Sequence, residues 1–364
     1  MEEKKIKIGI THGDINGIGY EIMLKTLADA RILELCTPVI YGSSKILAYH
    51  RKIMELESVN TSIINRAQDA GVNRISIINS VSAEVKVDIS QSTEVAGEVA
   101  FKALESAVRD LKEGHIDVLL TSPVNKANIQ SQQFPFPGHT EYLEQSCGNG
   151  KKALMILLSE NMKLAPVTGK IPLSQVPTQL TVQSISQKLK TFHQSLIQDF
   201  GIVRPRIAVL SLNPRGGEIP SLGTEEQEKI SPAMKEAEKQ GVLSFGPFAA
   251  DSFFGSGSYT RYDGILAMYY EQAMIPFKTL SKENGVIFTA GLPVIRTAPA
   301  HGVAYDIAGK NLASEEAFRN ALYAAIDTYR HRKNHQSATS NPLKKQYFEK
   351  GSDNEKLDLT AEDN

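Results

Sequence analysis

Residues 137–141, Pro137-Gly138-His139-Thr140-Glu141, place an imidazole, a hydroxyl and a carboxylate in consecutive positions just after a Pro-Gly turn. Polar groups packed beside a turn belong where a rigid scaffold presents side chains to a small polar ligand, because loops carry contacts and strands carry the core. Thr121-Ser122-Pro123-Val124-Asn125-Lys126 lies just upstream, and Leu212-Asn213-Pro214, Ala250-Asp251 and Gly291-Leu292-Pro293-Val294-Ile295-Arg296-Thr297 follow in order. His139 therefore reads as a contact residue. Taken alone, Lys278 and Arg296 read as surface or capping cations, and Lys126 fits a ligand role or a solvated loop equally well.

Strands must position these groups. The run Ile6-Lys7-Ile8-Gly9-Ile10-Thr11 alternates in polarity, breaks at Gly13-Asp14 and Gly17-Ile18-Gly19, and continues as a helical stretch over 20–30. The spacing Gly13, Gly17, Gly19 is not the G-x-G-x-x-G dinucleotide fingerprint, so a tight strand-to-helix turn is the better reading, with His12 and Asp14 able to reach a ligand from it. Short apolar strands are expected at 37–41, 74–78, 118–121, 163–167, 206–211, 264–268 and 286–289, and helices at 95–113, 225–240 and 315–331. Alternation of this kind predicts an α/β architecture with a largely parallel sheet and ligands at the carboxyl ends of its strands. Lys126, Asn213 and the Tyr269-Tyr270 pair all follow such strand ends, and the two tyrosines read as packing aromatics there.

With 364 residues and 41% hydrophobic content, the chain can bury a large core in two lobes. Lys plus Arg number 40 against 41 Asp plus Glu, so no global field favours nucleic acid or an anionic membrane. No apolar run approaches the ~20 residues of a membrane span, and the reading is cytoplasmic. Cys36 and Cys147 are too few for a disulfide framework or a zinc site and are expected to be buried thiols. From Ser337 onward the composition turns polar, and 337–364 is expected to be a flexible tail, with a docking segment around Tyr347-Phe348 as the alternative.

The ordered motifs, from Ile10-Thr11-His12-Gly13-Asp14 through Thr121–Lys126, 136–142, Leu212-Asn213-Pro214, Gly291–Thr297 and His301-Gly302 with Asp306, resemble the PdxA-like 4-hydroxythreonine-4-phosphate dehydrogenases across nearly all of 6–330. The resemblance implies an isocitrate/isopropylmalate-dehydrogenase-like fold, two α/β/α lobes around a central cleft. Residues 1–125 with 288–336 would form the first lobe and 126–287 the second, carrying substrate loops and dimer contacts. It also implies a homodimer with shared active sites, NAD as cofactor, and oxidation of a small phosphorylated hydroxy acid followed by decarboxylation. His139, Thr140, Lys278 and Arg296 match the substrate-binding positions. Asp14, Lys126, Asp251, Gly291, Leu292 and Asp306 are candidates for the cofactor or ligand loops.

The family's three metal-binding histidines align with Lys170, Arg215 and Tyr270. None of these offers the ready lone pair of imidazole at neutral pH, so a divalent metal is expected to be absent. Two further departures are Ile287 where an asparagine is usual and Ala300 where an acid is usual. Either the Lys170 and Arg215 heads occupy the ion's space and grip substrate oxygens, or these positions drifted after catalysis was lost. The corresponding functions are a dehydrogenase with reduced or altered activity, and a metal-free, catalytically impaired homologue that binds a phosphorylated metabolite.

Overall fold

The computed structural model describes residues 5–341 apart from 57, 58, 83, 218 and 219. The strands are β1 (Ile6–Thr11), β2 (Cys36–Gly42), β3 (Thr61–Ile64), β4 (Ile75–Asn79), β5 (Val118–Thr121), β6 (Leu154–Ser159), β7 (Met162–Pro166), β8 (Arg206–Leu210), β9 (Leu243–Phe248), β10 (Gly264–Ala267), β11 (Val286–Ala290) and β12 (Arg296–Pro299). They form one sheet in the order β3-β4-β2-β1-β5-β12-β11-β6-β7-β10-β8-β9.

The outer pairings are parallel, as the alternation of strands and helices requires. The middle differs: β12-β11, β11-β6 and β6-β7 are antiparallel, within a sheet that is otherwise parallel, as expected. Two hairpins produce this: β6-β7, whose two-residue connection at Glu160-Asn161 is too short for a crossover helix, and β11-β12, joined through residues 291–295. The three successive reversals make the two parallel blocks run opposite ways.

Helices cover both faces, giving three layers in each block. On one face a continuous core runs from Ile8 and Ile10 through Phe288 to Leu189 and Phe192, and the C-terminal helix Glu316–Ser340 contributes Phe318, Leu322 and Ala325 to it. On the other face the core is divided. Helix Glu94–Lys112 packs Leu104 and Val108 over the first block, and helix Tyr270–Ser281 packs Ala273 and Phe277 over the second. Both cysteines are free and buried, as expected. The C-terminal helix reaches Ser340, so residues 337–340 are helical rather than part of the tail; residues 342–364, with Tyr347-Phe348, lie outside the described residues.

The first glycine loop is a packed joint. Gly13 has φ +73°, and a Cβ there would sit 2.2 Å from the Pro123 carbonyl oxygen; one on Gly19 would sit 2.2 Å from that of His12. His12 does not reach outward, contrary to the expectation: it is fully buried and stacked on Tyr20, which stacks in turn on His50. Burial lowers the pKa of each imidazole to about 4. The unfolded chain binds these protons near pH 6.5 while the folded chain refuses them until about pH 4, so stability is lost as pH falls through that window. Each group should contribute a slope of roughly 1.4 kcal/mol per pH unit there, and His50→Gln should remove about one proton's share in urea titrations between pH 7 and 4.

Tight packing also fixes the loop that carries Lys126. Gly97 lies where an added Cβ would fall 1.9 Å from the Asn128 carbonyl oxygen, so backbone approaches backbone with no side chain between. Gly97→Ala should cost about 1–3 kcal/mol in urea denaturation, despite the better helix propensity of alanine.

Candidate active site

The site is built where the divided core leaves a gap. Arg296, at the start of β12, is only 5% exposed, and its guanidinium donates to hydroxyls: Nε and Nη2 to Thr121 Oγ1 at 3.0 and 2.6 Å, and Nη1 to Thr289 Oγ1 at 3.4 Å. Nη2 also lies 3.1 Å from His139 Nδ1. Among the described residues no carboxylate forms an ion pair with it. Burial lowers its pKa to about 10, with the more distant Glu141 opposing the shift. A buried cation satisfied only by neutral acceptors retains unspent charge, and an anionic ligand is what would balance it.

His139 opens the helix His139–Cys147 instead of lying in a loop, and Gly138 precedes it in an extended conformation. Because arginine only donates, Nδ1 of His139 must be the acceptor, which leaves the proton on Nε2. The imidazole is held neutral: burial, then Arg296 and Lys126, press its pKa well below the usual value. Thr140 follows on the first turn of this helix, half-buried.

Lys126 and Lys170 come from opposite blocks. Lys126 lies in the turn beyond β5, close to Gly138 and Glu141, and Lys170 lies beyond β7. The pKa of Lys126 falls to about 8, through desolvation first and the neighbouring Lys170 second. Tyr270 is not merely a packing aromatic at a strand end; it begins the helix after β10, with Lys170 Nζ 5.0 Å from its ring centroid.

Other candidates fall elsewhere. Arg215 and Asp251 line a 510 Å3 cavity with Pro247 and Phe248, and Arg215 has the left-handed φ of 56°. That turn is pinned by Glu226, whose Oε1 accepts the Leu212 and Asn213 amides at 2.8 Å. Lys278 lines a 230 Å3 cavity with Ile18, Phe277 and His301. Gly291 and Leu292 line a third, of 590 Å3, beside Lys152 and Arg332. Asp14 is a structural tie, accepting from Asn128 Nδ2 at 2.8 Å and from the Tyr305 hydroxyl at 2.7 Å, and the neighbouring Asp306 is exposed. Thr121, Thr289 and Glu226 were not singled out by sequence reasoning. Only Thr121 carried a signal, as the last residue of a strand ahead of the Ser122-Pro123 break.

Among the described residues one His/Cys/Asp/Glu group has ligand spacing, Asp110 with Glu113 and His115, and it lies before β5, at the opposite end of that strand from Thr121.

These features define an α/β protein built on one twelve-stranded sheet, with a buried cation near its antiparallel middle. The family model described as "Pyridoxal phosphate biosynthetic protein PdxA" matches residues 34–325. The chain belongs to this family. It is 56% identical over 363 residues, covering 100% of both chains, to the 4-hydroxythreonine-4-phosphate dehydrogenase of Bacteroides thetaiotaomicron. It is 37% identical to that of Sulfurihydrogenibium sp., over 90% of this chain and 100% of the relative. The solved structure of 4-hydroxythreonine-4-phosphate dehydrogenase from Klebsiella pneumoniae matches with a TM-score of 0.77 at 30% identity, covering 90% of this chain and 99% of that one.

If Arg296 is the anion receptor, Arg296→Met should weaken binding of a phosphorylated hydroxy acid about a hundredfold, the equivalent of two charge-assisted hydrogen bonds at about 1.5 kcal/mol each. Calorimetric titration checks this, with the thermal midpoint recorded to show that the variant is folded.

Proposed function

We propose that this chain is an NAD-dependent dehydrogenase of pyridoxal phosphate biosynthesis that oxidises 4-hydroxythreonine 4-phosphate, a phosphorylated hydroxy acid, and releases its carboxylate as carbon dioxide. The observation that carries this reading is Arg296, buried and without a carboxylate partner among the described residues, beside a neutral His139. Arg296 and the Thr140 hydroxyl would hold an anionic group of the substrate. The Nε2–H of His139 would donate to the oxygen being oxidised, which fixes its orientation.

NAD supplies the hydride acceptor when bound. The 230 Å3 cavity suits part of a dinucleotide: Ile18, Phe277 and Ile307 give apolar walls, Lys278 a cation, and His301 a buried Nε2 with no partner, its Nδ1 lying 3.0 Å from the Gly302 carbonyl oxygen. No step is assigned to a divalent metal, because Lys170, Arg215 and Tyr270 present two cations and a phenol where a cation would need lone pairs. Loss of a Lewis acid should slow the chemistry unless another electrophile replaces it, so an activity lower than that of metal-dependent relatives is part of the proposal. A homodimer with shared sites is supported by Leu173 and Ile275, which are 68% and 66% exposed and lie within five residues of Lys170 and Tyr270. No helix among the described residues is long and apolar enough to cross a membrane.

The test is NADH formation from 4-hydroxythreonine 4-phosphate with and without EDTA. NADH should form at a rate that the chelator leaves unchanged. Where the proposed second copy of the chain brings position 215 against the Lys170–Tyr270 pair, the triple variant Lys170→His/Arg215→His/Tyr270→His should bind one equivalent of a divalent ion and become chelator-sensitive. No NADH, with ligand binding retained, would overturn the dehydrogenase reading in favour of an impaired metabolite-binding homologue. Chelator sensitivity of the unaltered protein would overturn the metal-free one.

A further inference from the structure

We propose that the 590 Å3 cavity between the helix Val182–Gln198 and the C-terminal helix Glu316–Ser340 is a second binding site, which takes a small phosphorylated polyol. It does not depend on the reaction assigned to the Arg296 site.

The walls are two helix faces. Gln187, Thr191, Gln194 and Gln198 recur at helical intervals and form one stripe of the first helix, opposite the face that buries Ile185, Leu189 and Phe192. Arg332, His335 and Gln336 form the facing stripe of the C-terminal helix, and all three lie beyond residues 34–325, the stretch that the family model matches. Part of the wall is thus outside the region shared with the family. The rest of the lining, at residues 150–152 and 291–293, adds two lysines, and no aspartate or glutamate lines the cavity.

Charge and hydrogen-bonding capacity point to the ligand. Lys152 is held by Glu144 at 2.6 Å, but Lys151 has no ion pair among the described residues. Arg332 is 12% exposed; its Nε donates to the buried Asp199 at 2.5 Å and its Nη1 to the Pro293 and Val294 carbonyl oxygens at 3.1 and 3.3 Å, while Nη2 is buried with no acceptor. A phosphoryl oxygen at this wall supplies the acceptor that the guanidinium lacks, with no carboxylate in the lining to compete for it. The glutamine amides both donate and accept, which suits hydroxyl groups rather than an apolar body. The volume falls within the roughly 300–1,000 Å3 of small-molecule sites, so the oxyanion is one end of a larger polar molecule.

The floor connects this cavity to Arg296. Gly291 has φ +81°, and a Cβ there would sit 2.5 Å from the Lys152 carbonyl oxygen and 3.0 Å from Thr191 Cγ2, so the turn between β11 and β12 is seated directly on the lining. Arg332 holds the same turn through the Pro293 and Val294 carbonyls, and β12 begins at Arg296. A ligand that orders Lys152, Thr191 and Arg332 therefore also stiffens the turn from which Arg296 projects.

Calorimetric titration of the full-length protein with sorbitol 6-phosphate tests the site, with sorbitol and inorganic phosphate as controls. The Arg296→Met variant, which lacks the other anion receptor, should still bind one equivalent of the ester; inorganic phosphate should bind about tenfold more weakly and sorbitol not at all. Lys151→Glu should weaken binding of the ester about tenfold and Gln194→Leu several-fold, with the ligand-free thermal midpoint unchanged in each. Both substitutions are made in the unaltered chain as well, so the test survives if Arg296→Met does not fold. Amide hydrogen exchange in the 291–295 turn should slow several-fold when the ester is bound. No saturable binding, inorganic phosphate bound as tightly as the ester, undiminished affinity in Lys151→Glu, or saturation without protection of the turn would each overturn the proposal.

Discussion

The guanidinium of Arg296 is the constraint around which the site is arranged. It is buried among two threonine hydroxyls and one imidazole, with no carboxylate among the described residues in ion-pair contact. Such a group costs folding free energy that its neutral partners only partly offset, and it persists because strands from both sides of the join fix it in place. Its consequences spread outward. It forces one tautomer on His139, it adds to the field that loosens the proton on Lys126, and it makes the gap in the core polar and ready for an anion.

Much of this was legible in the sequence, and the reasons are local. β1, β5 and the helix Glu94–Lys112 follow from alternation and helical periodicity, and their observed limits lie within a residue of those expected. β7 was expected at 163–167, but β6 was missed because Leu154–Ser159 is an apolar run with no alternation, and nothing local shows that it will pair antiparallel to β11. β12 was not among the expected strands for a related reason: it is four residues long and follows a Gly-Leu-Pro turn.

At the site, residue types were legible and distances were not. His139, Thr140 and Arg296 were recognisable from motif order, and the structure brings His139 and Arg296 into contact across 157 positions of sequence. The same order gave no hint that Lys278, Arg215 with Asp251, and Gly291 with Leu292 would line three different cavities. The proximity of Lys126 to Lys170 was equally hidden, since they follow strands in different blocks and both stay exposed in the fold.

The unbroken core on one face has a mechanical consequence. The helix Glu316–Ser340 packs on that face against β5, β11 and β12, binding the blocks like the spine of a book. Any separation of the halves must then hinge along that spine and open on the far side, where the apolar packing is already interrupted. Ligand entry and product escape would therefore share one mouth, and the halves could swing apart without tearing the larger core.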